Sequence, residues 1–339
     1  MSLSLANRRP RLVIHAGTHK TGTTSIQTAF RDHRAALRAA GVCYPDPARQ
    51  PHPHLPAHNF IYRATLDGPE AMAAERARIL KEFRQSGART LVLSEEGLCL
   101  PRRPQLQEFF RPWVDQFDIT IVCYLRRQDR YAESLYSQYV RENHALARKR
   151  IGDFINSKDI WARFDYPANL ALWEGIGEVI AVNYEEMKGE TLHAPLLEAA
   201  GLPADFAIAP ASQSNVSPPA EAIEVIRQMN LRKIDHSGPQ LLALMHDSAV
   251  PGAARGHLLG ARLRSEFLER VAGFNRVLAE NWNIRFDDIR PEEPEASLHP
   301  KIADTHLRAL ALATLRLEAQ LKEAPPRQAP PQSRNAPLP

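Results

Sequence analysis

The sequence predicts an α/β protein: a parallel sheet flanked by helices, with a mostly helical C-terminal part. Three observations carry that expectation. First, the short apolar run RLVIHAG gives way at Gly17 to small and hydroxyl residues. It is followed by SIQTAFRDHRAALRAAG, whose apolar positions Ile26, Phe30 and Leu37 have helical spacing, so the segment reads as strand, loop, helix. Second, strands go on alternating with helices. RTLVLSEEG follows a polar helix over 69–86 and Gly87, FDITIVCYLR runs into a helix through Tyr131 to Glu142, and VIAVNY at 179–184 follows a short helix over 167–175. That alternation argues for a parallel sheet covered on both faces, with ligands at the carboxyl ends of its strands. Third, strand signals fade beyond Gly201, and residues 219–233 and 261–282 are helical by period.

A chain of 339 residues suits one large domain with appendages, since single cores stop growing at roughly 250 to 300 residues. We place a disordered N-terminus at 1–10, the α/β domain at 11–290, a last helix at 300–322 and a disordered Pro-rich tail at 323–339. Asp304 has the character of an N-cap for that last helix. Its leucines at 307, 310, 317 and 321 suit docking on the same domain and also leave a homodimer open.

Apolar content of 44% with 24% charged is ordinary for a globular protein. The net charge of +4 and pI near 9.0 are dispersed along the chain, so we expect no nucleic-acid partner and an anionic ligand instead. Cys43, Cys99 and Cys123 are odd in number, far apart and without ligand spacing, which reads as thiols in a reducing compartment. Without a signal-like segment or an apolar run of roughly 18 residues, no membrane span is expected and the cytoplasm is the default location. His52, His54 and His58 lie in a Pro-rich stretch, 45–60, that reads as a flexible surface loop rather than a metal cluster. The segments 45–66 and 143–166 are the expected acceptor loops.

The segment Gly17-Thr18-His19-Lys20-Thr21-Gly22-Thr23-Thr24-Ser25 lies where a strand hands over to a helix. Backbone N–H groups and the positive end of the helix dipole converge there on an anion site. Gly17 and Gly22 admit close approach, Lys20 brings a movable charge, and the hydroxyls of Thr23, Thr24 and Ser25 add donors. A Walker A loop puts its lysine after the second glycine, whereas Lys20 precedes Gly22, so an ordinary ATP or GTP kinase is disfavoured.

HAGTHKTGTTSIQ resembles the 5′-phosphosulfate loop of the sulfotransferase superfamily, and most closely its bacterial branch with HKTGTTS. The resemblance implies a P-loop-like fold. It also implies metal-independent transfer of a sulfuryl group from 3′-phosphoadenosine 5′-phosphosulfate, with Lys20, Thr21, Gly22, Thr23, Thr24 and Ser25 holding that donor. The family pattern for the 3′-phosphate is an Arg at a strand end and a Ser eight residues later. Arg126 and Ser134 match it, although Arg127-Gln128 replaces the usual Asn-Pro, so Arg127 is a second candidate. Tyr184-Glu185-Glu186-Met187 is similar to a segment whose tyrosine lies near the adenine. Asn215 and Ser217 are further places where the donor would be touched or a helix capped.

A hydroxyl acceptor must lose a proton, and Glu95 and Glu96 follow strand TLVLS at the same rim. The resemblance puts Glu96 at the base position, with Glu95 and His19 as alternatives. For the acceptor we expect a carbohydrate or a small hydroxyl compound, an amine being the other option. The basic run Arg148-Lys149-Arg150 would suit an acidic glycan or simply a solvated helix end. Competing readings are a nucleotide-dependent kinase with Glu95 or Glu96 as metal ligand and a non-catalytic binding module.

Overall fold

Alternation within each strand decides the architecture. In β1 (Arg11–His15), Leu12 and Ile14 point to one face and Val13 to the other, and all are fully buried, so both faces must be covered. This is a computed structural model and describes residues 9–18, 20–49, 56–99, 104–187, 189–208, 218, 220–231, 233 and 257–287. It has five parallel strands in the order β2-β3-β1-β4-β5. β2 is Val42–Cys43, β3 Thr90–Ser94, β4 Asp118–Leu125 and β5 Glu178–Asn183. The expected α/β sheet flanked by helices is therefore present, with a fifth strand that two residues are too few to reveal by alternation. No helix among the described residues is long and apolar enough to cross a membrane.

One face carries α1 (Thr23–Asp32), α2 (Arg34–Ala39) and the helix Ala194–Ala199, packed through Ile26, Phe30, Leu37 and Leu196 on Val13, Val92, Val122 and Val182. The other face carries α3 (Asn59–Asp67), α4 (Pro69–Ser86), α5 (Pro104–Phe110), α6 (Gln128–Arg141) and the helices Ala220–Leu231 and Ala261–Trp282. The chain leaves β1 towards β2 and leaves β4 in the opposite direction, towards β5. Adjacent strands whose connections diverge open a crevice at their carboxyl ends. That crevice lies between the loop after β1 and the segment after β4.

Several local expectations need correction. The helix expected after the phosphate loop is two helices that meet at His33, whose backbone N–H and ring Nδ1 both bond the carbonyl of Ala29. A helix that the sequence reading did not include, α5, precedes β4, because Leu106, Phe109 and Phe110 bury one side and the proline occupies the helix start, where no N–H is needed. The stretch read as flexible loop is packed where described. His58 is fully buried, accepts from the Ser94 N–H at Nδ1 and donates from Nε2 to the Pro45 carbonyl, so it has no lone pair for a metal. The expected acceptor loops are largely helical, with α3 in one and helices Ile151–Ile155 and Lys158–Trp161 in the other. Arg9 and Pro10, placed in a disordered end, are tied to Asp118. Residues 1–8, His19, His52, His54, Asn215, Ser217, the 300–322 helix and the Pro-rich tail lie outside the described residues.

Candidate functional site

The loop between β1 and α1 is shaped by two left-handed residues. Lys20 has φ 73° and Gly22, the N-cap of α1, has φ 71°. A lysine in that region costs energy that surrounding contacts must offset, and such strain clusters at functional sites. Internal bonds supply them. The Thr21 hydroxyl donates to the Thr18 carbonyl at 2.6 Å, and the N–H and hydroxyl of Thr18 both reach the Tyr124 carbonyl at 3.1 Å. Glycine is required for space as well. A Cβ on Gly17 would lie 3.0 Å from Thr21 Oγ1 and 3.2 Å from His15 Nε2, and one on Gly22 would lie 2.9 Å from Leu192 Cδ2.

Three other strand ends converge on this loop. From β3, Glu96 accepts a hydrogen bond from the Thr23 hydroxyl. From β4, Arg126 donates to the carbonyl of Lys20 at 3.3 Å. From β5, the Tyr184 ring lies beneath the Arg126 guanidinium at 5.7 Å and flanks Gly22. Lys20, Thr23, Glu96, Arg126 and Tyr184 are thus gathered at one crevice. Ser134 stands half-buried on α6, and Thr24 is exposed on the first turn of α1.

The second arginine candidate is not at the crevice. Arg127 is buried in a two-bond clasp on Asp129, at 2.7 and 2.9 Å, and also donates to the Asp287 carbonyl. Asp129 receives Arg264 at 3.4 Å as well, and its carboxyl is held below the usual range by these cations despite its burial. Arg127 is therefore structural. Arg126 has a partial partner of its own, Glu185, at 3.5 Å, which also binds Arg130.

The two glutamates separate cleanly. Glu95 is buried, accepts the Gly97 N–H at 2.9 Å, and leaves Oε2 without a partner among the described residues. Burial, opposed by that bond and reinforced by Glu96, raises its carboxyl to about 8. Glu95 is thus protonated near neutral pH and faces the interior, whereas Glu96 is half-buried at the rim. Lys20 is lowered by burial and then by Arg141, against the attraction of Glu96 and Glu142.

Two histidines that sequence reasoning missed adjoin the loop and the start of α1. His15 shares a 2.8 Å hydrogen bond with Ser94 Oγ through Nδ1 and is lowered to about 4, chiefly by burial. His193, in the turn Gly189–His193 over the start of α1, is lowered by burial as well. The Nε2 of each is buried without a partner among the described residues. Nothing in the local sequence marks them, because each acts across the fold. Among the described residues no three His, Cys, Asp or Glu side chains come together as a metal site. The cleft at the β2 edge is no anion site, since Arg34 is bound to Tyr44 and Glu82 and Arg38 to carbonyls of Gln85 and Ser86.

In comparisons with protein-family models and with curated proteins, the chain matches none.

Proposed function

We propose that the chain is a sulfotransferase, moving a sulfuryl group from 3′-phosphoadenosine 5′-phosphosulfate to an acceptor hydroxyl. The observation that carries this reading is the bond from Arg126 to the Lys20 carbonyl. It joins a helix-capping anion loop to a second cation across the crevice, as a donor with separate 5′ and 3′ anionic groups requires. The loop suits the donor on physical grounds. Gly17 and Gly22 leave the space a Cβ would fill, α1 presents its positive end, and the His15 Nε2 by Gly17 is buried without a partner among the described residues.

In the proposed step the acceptor oxygen forms a bond to sulfur as the bond from sulfur to the 5′-phosphate oxygen breaks. The acceptor proton passes to Glu96, and the bisphosphate leaves with the electron pair. Lys20 and the first-turn N–H groups of α1 stabilise the charge that develops on that leaving oxygen. Glu96 is the base in this reading because it stands at the rim and Glu95 is protonated and turned inward. Arg126 holds the 3′-phosphate by letting go of Glu185, and Tyr184 offers its ring to the base.

The test is calorimetric binding of 3′-phosphoadenosine 5′-phosphate without metal. Binding that exceeds that of ADP by about tenfold or more and weakens in Lys20→Ala and Arg126→Ala is expected. Preference for ADP, or a requirement for Mg²⁺, would overturn the reading in favour of a kinase.

A further inference from the structure

One face of α6 carries a polar stripe along the crevice. Arg130, Ser134, Ser137 and Arg141 recur at helical spacing and so lie one above another on the helix surface. The first end of the stripe is fixed at the crevice. Arg130 binds Glu185, which also pairs with Arg126, and Arg126 in turn reaches the Lys20 carbonyl. The far end returns to the same loop, because among the charges acting on Lys20 that of Arg141 is the strongest, ahead of Glu96, Glu142 and Arg126.

The side chains of this stripe have bonding capacity that the fold leaves unused. Ser137 is buried, and its Oγ has no partner among the described residues, which is costly for a hydroxyl withdrawn from water. Arg141 is half-buried and donates from Nε to the Ser137 carbonyl at 3.3 Å. That bond seats the guanidinium on the helix and leaves both of its amino groups without a partner among the described residues. Burial lowers Arg141 as it lowers Lys20, and the adjoining Glu142, which offsets this in part, is exposed and accepts from Gln138. Neither Lys20 nor Arg141 makes an ion pair among the described residues. Two like charges drawn together out of water oppose each other's ionisation, and an anion placed between them relieves both.

We propose that Arg141 is a further catalytic residue, which with Lys20 holds the oxygens of the sulfuryl group in transfer while Ser134 holds the 3′-phosphate at the other end of the donor. The inference rests on the transferase reading above. Ser134 and Arg141 are two turns apart, about 10 Å along the axis, so one helix face grips both ends of one nucleotide and Ser137 supplies a hydroxyl between them. A guanidinium presents parallel N–H groups that match two oxygens of a sulfuryl group, and it keeps its proton throughout. As the acceptor oxygen bonds to sulfur, Glu96 takes the acceptor proton and the bisphosphate leaves with the electron pair, while Arg141 stays on the sulfuryl oxygens and fixes the line of attack.

The experiment is calorimetric titration of the full chain with 3′-phosphoadenosine 5′-phosphosulfate, with the bisphosphate that lacks its sulfuryl group, and with inorganic sulfate at fixed ionic strength. Arg141→Met is expected to weaken the phosphosulfate about tenfold or more and the bisphosphate by no more than about twofold. Arg141→Lys keeps the charge and loses the fork. It is expected to weaken the phosphosulfate selectively by about threefold or more, which keeps the test decisive where Arg141→Met does not fold. Equal loss for the two nucleotides, or no loss for either, overturns the proposal, because an arginine with a structural role alone would move both together. If the unsubstituted chain binds neither nucleotide, the donor reading falls by itself. Sulfate binding that weakens in the Arg141 variants then leaves Lys20 and Arg141 standing as an oxyanion site, and sulfate binding that is absent or indifferent to them removes that site as well.

Discussion

Two buried groups at neighbouring strand ends, Glu95 and His15, titrate in opposite senses. The Glu95 carboxyl is raised from 4.5 to about 8, so between those values the unfolded chain ionises while the folded one keeps its proton. Its contribution is fully present below pH 4.5 and is lost as pH rises towards 8. His15 is lowered from 6.5 to about 4, so its contribution is present above 6.5 and lost as pH falls towards 4. The two slopes oppose each other between 4.5 and 6.5, and from 6.5 to 8 only the loss from Glu95 remains. Stability is therefore expected to fall across pH 6.5 to 8 by roughly 1.4 kcal/mol per unit at most, and Glu95→Gln to flatten that fall in urea titrations. A variant whose stability keeps the wild-type pH slope would show that Glu95 is not the titrating group. Glu96→Gln should leave bisphosphate binding within about twofold and lower turnover roughly 10²-fold or more, as loss of a general base does.

At the scale of elements, the junction between β1 and α1 governs both shape and binding. Gly22→Ala forces an alanine to φ 71° and drives its Cβ against Leu192, so a loss of roughly 1 to 3 kcal/mol is expected, read as a lower Tm together with weaker nucleotide binding. A nucleotide affinity unchanged by this substitution would argue that the loop is not the anion cradle. This junction was also the most legible part of the chain. A run such as RLVIHAG and the spacing of Ile26, Phe30 and Leu37 are local signals, and they found β1 and α1 directly. The loop residues Lys20 to Ser25, Arg126 and Tyr184 were singled out by motif as donor-binding candidates, and of these Lys20, Thr23, Arg126 and Tyr184 meet at one crevice. What escaped notice depends on distant partners. β2 is only Val42 and Cys43, α5 hides behind prolines, and His15, Leu192 and His193 reach the site only because the sheet brings Ser94 and Tyr124 beside them. Arg126 and Arg127 could not be separated in sequence either, because the clasp of Arg127 on Asp129 becomes visible only once Arg264 and Asp287 are folded against α6.

Across the whole molecule, the cluster around Asp129 fastens the Ala261–Trp282 helix to the start of α6. Gln128 adds a 2.6 Å bond to Asn275, and Glu133 accepts from the Leu259 N–H and from Arg264. Asp129→Ala would leave two buried guanidinium groups without their shared carboxylate, and a loss of about 3 to 5 kcal/mol is expected. Chemical denaturation measures it, and because the pair is buried, added salt should change the loss little. A loss below about 1 kcal/mol would place the cluster among surface pairs instead. The diverging connections of β1 and β4 have a mechanical consequence. The helix that follows β1 belongs to one layer and the helix that follows β4 to the other, so a molecule lodged between Gly22 and Arg126 pins both layers to a single sheet edge. Occupancy at 100 times Kd adds about 2.7 kcal/mol against global unfolding. In hydrogen exchange the bisphosphate should slow amides in α1 and α6 together, although the two helices lie on opposite faces of the sheet.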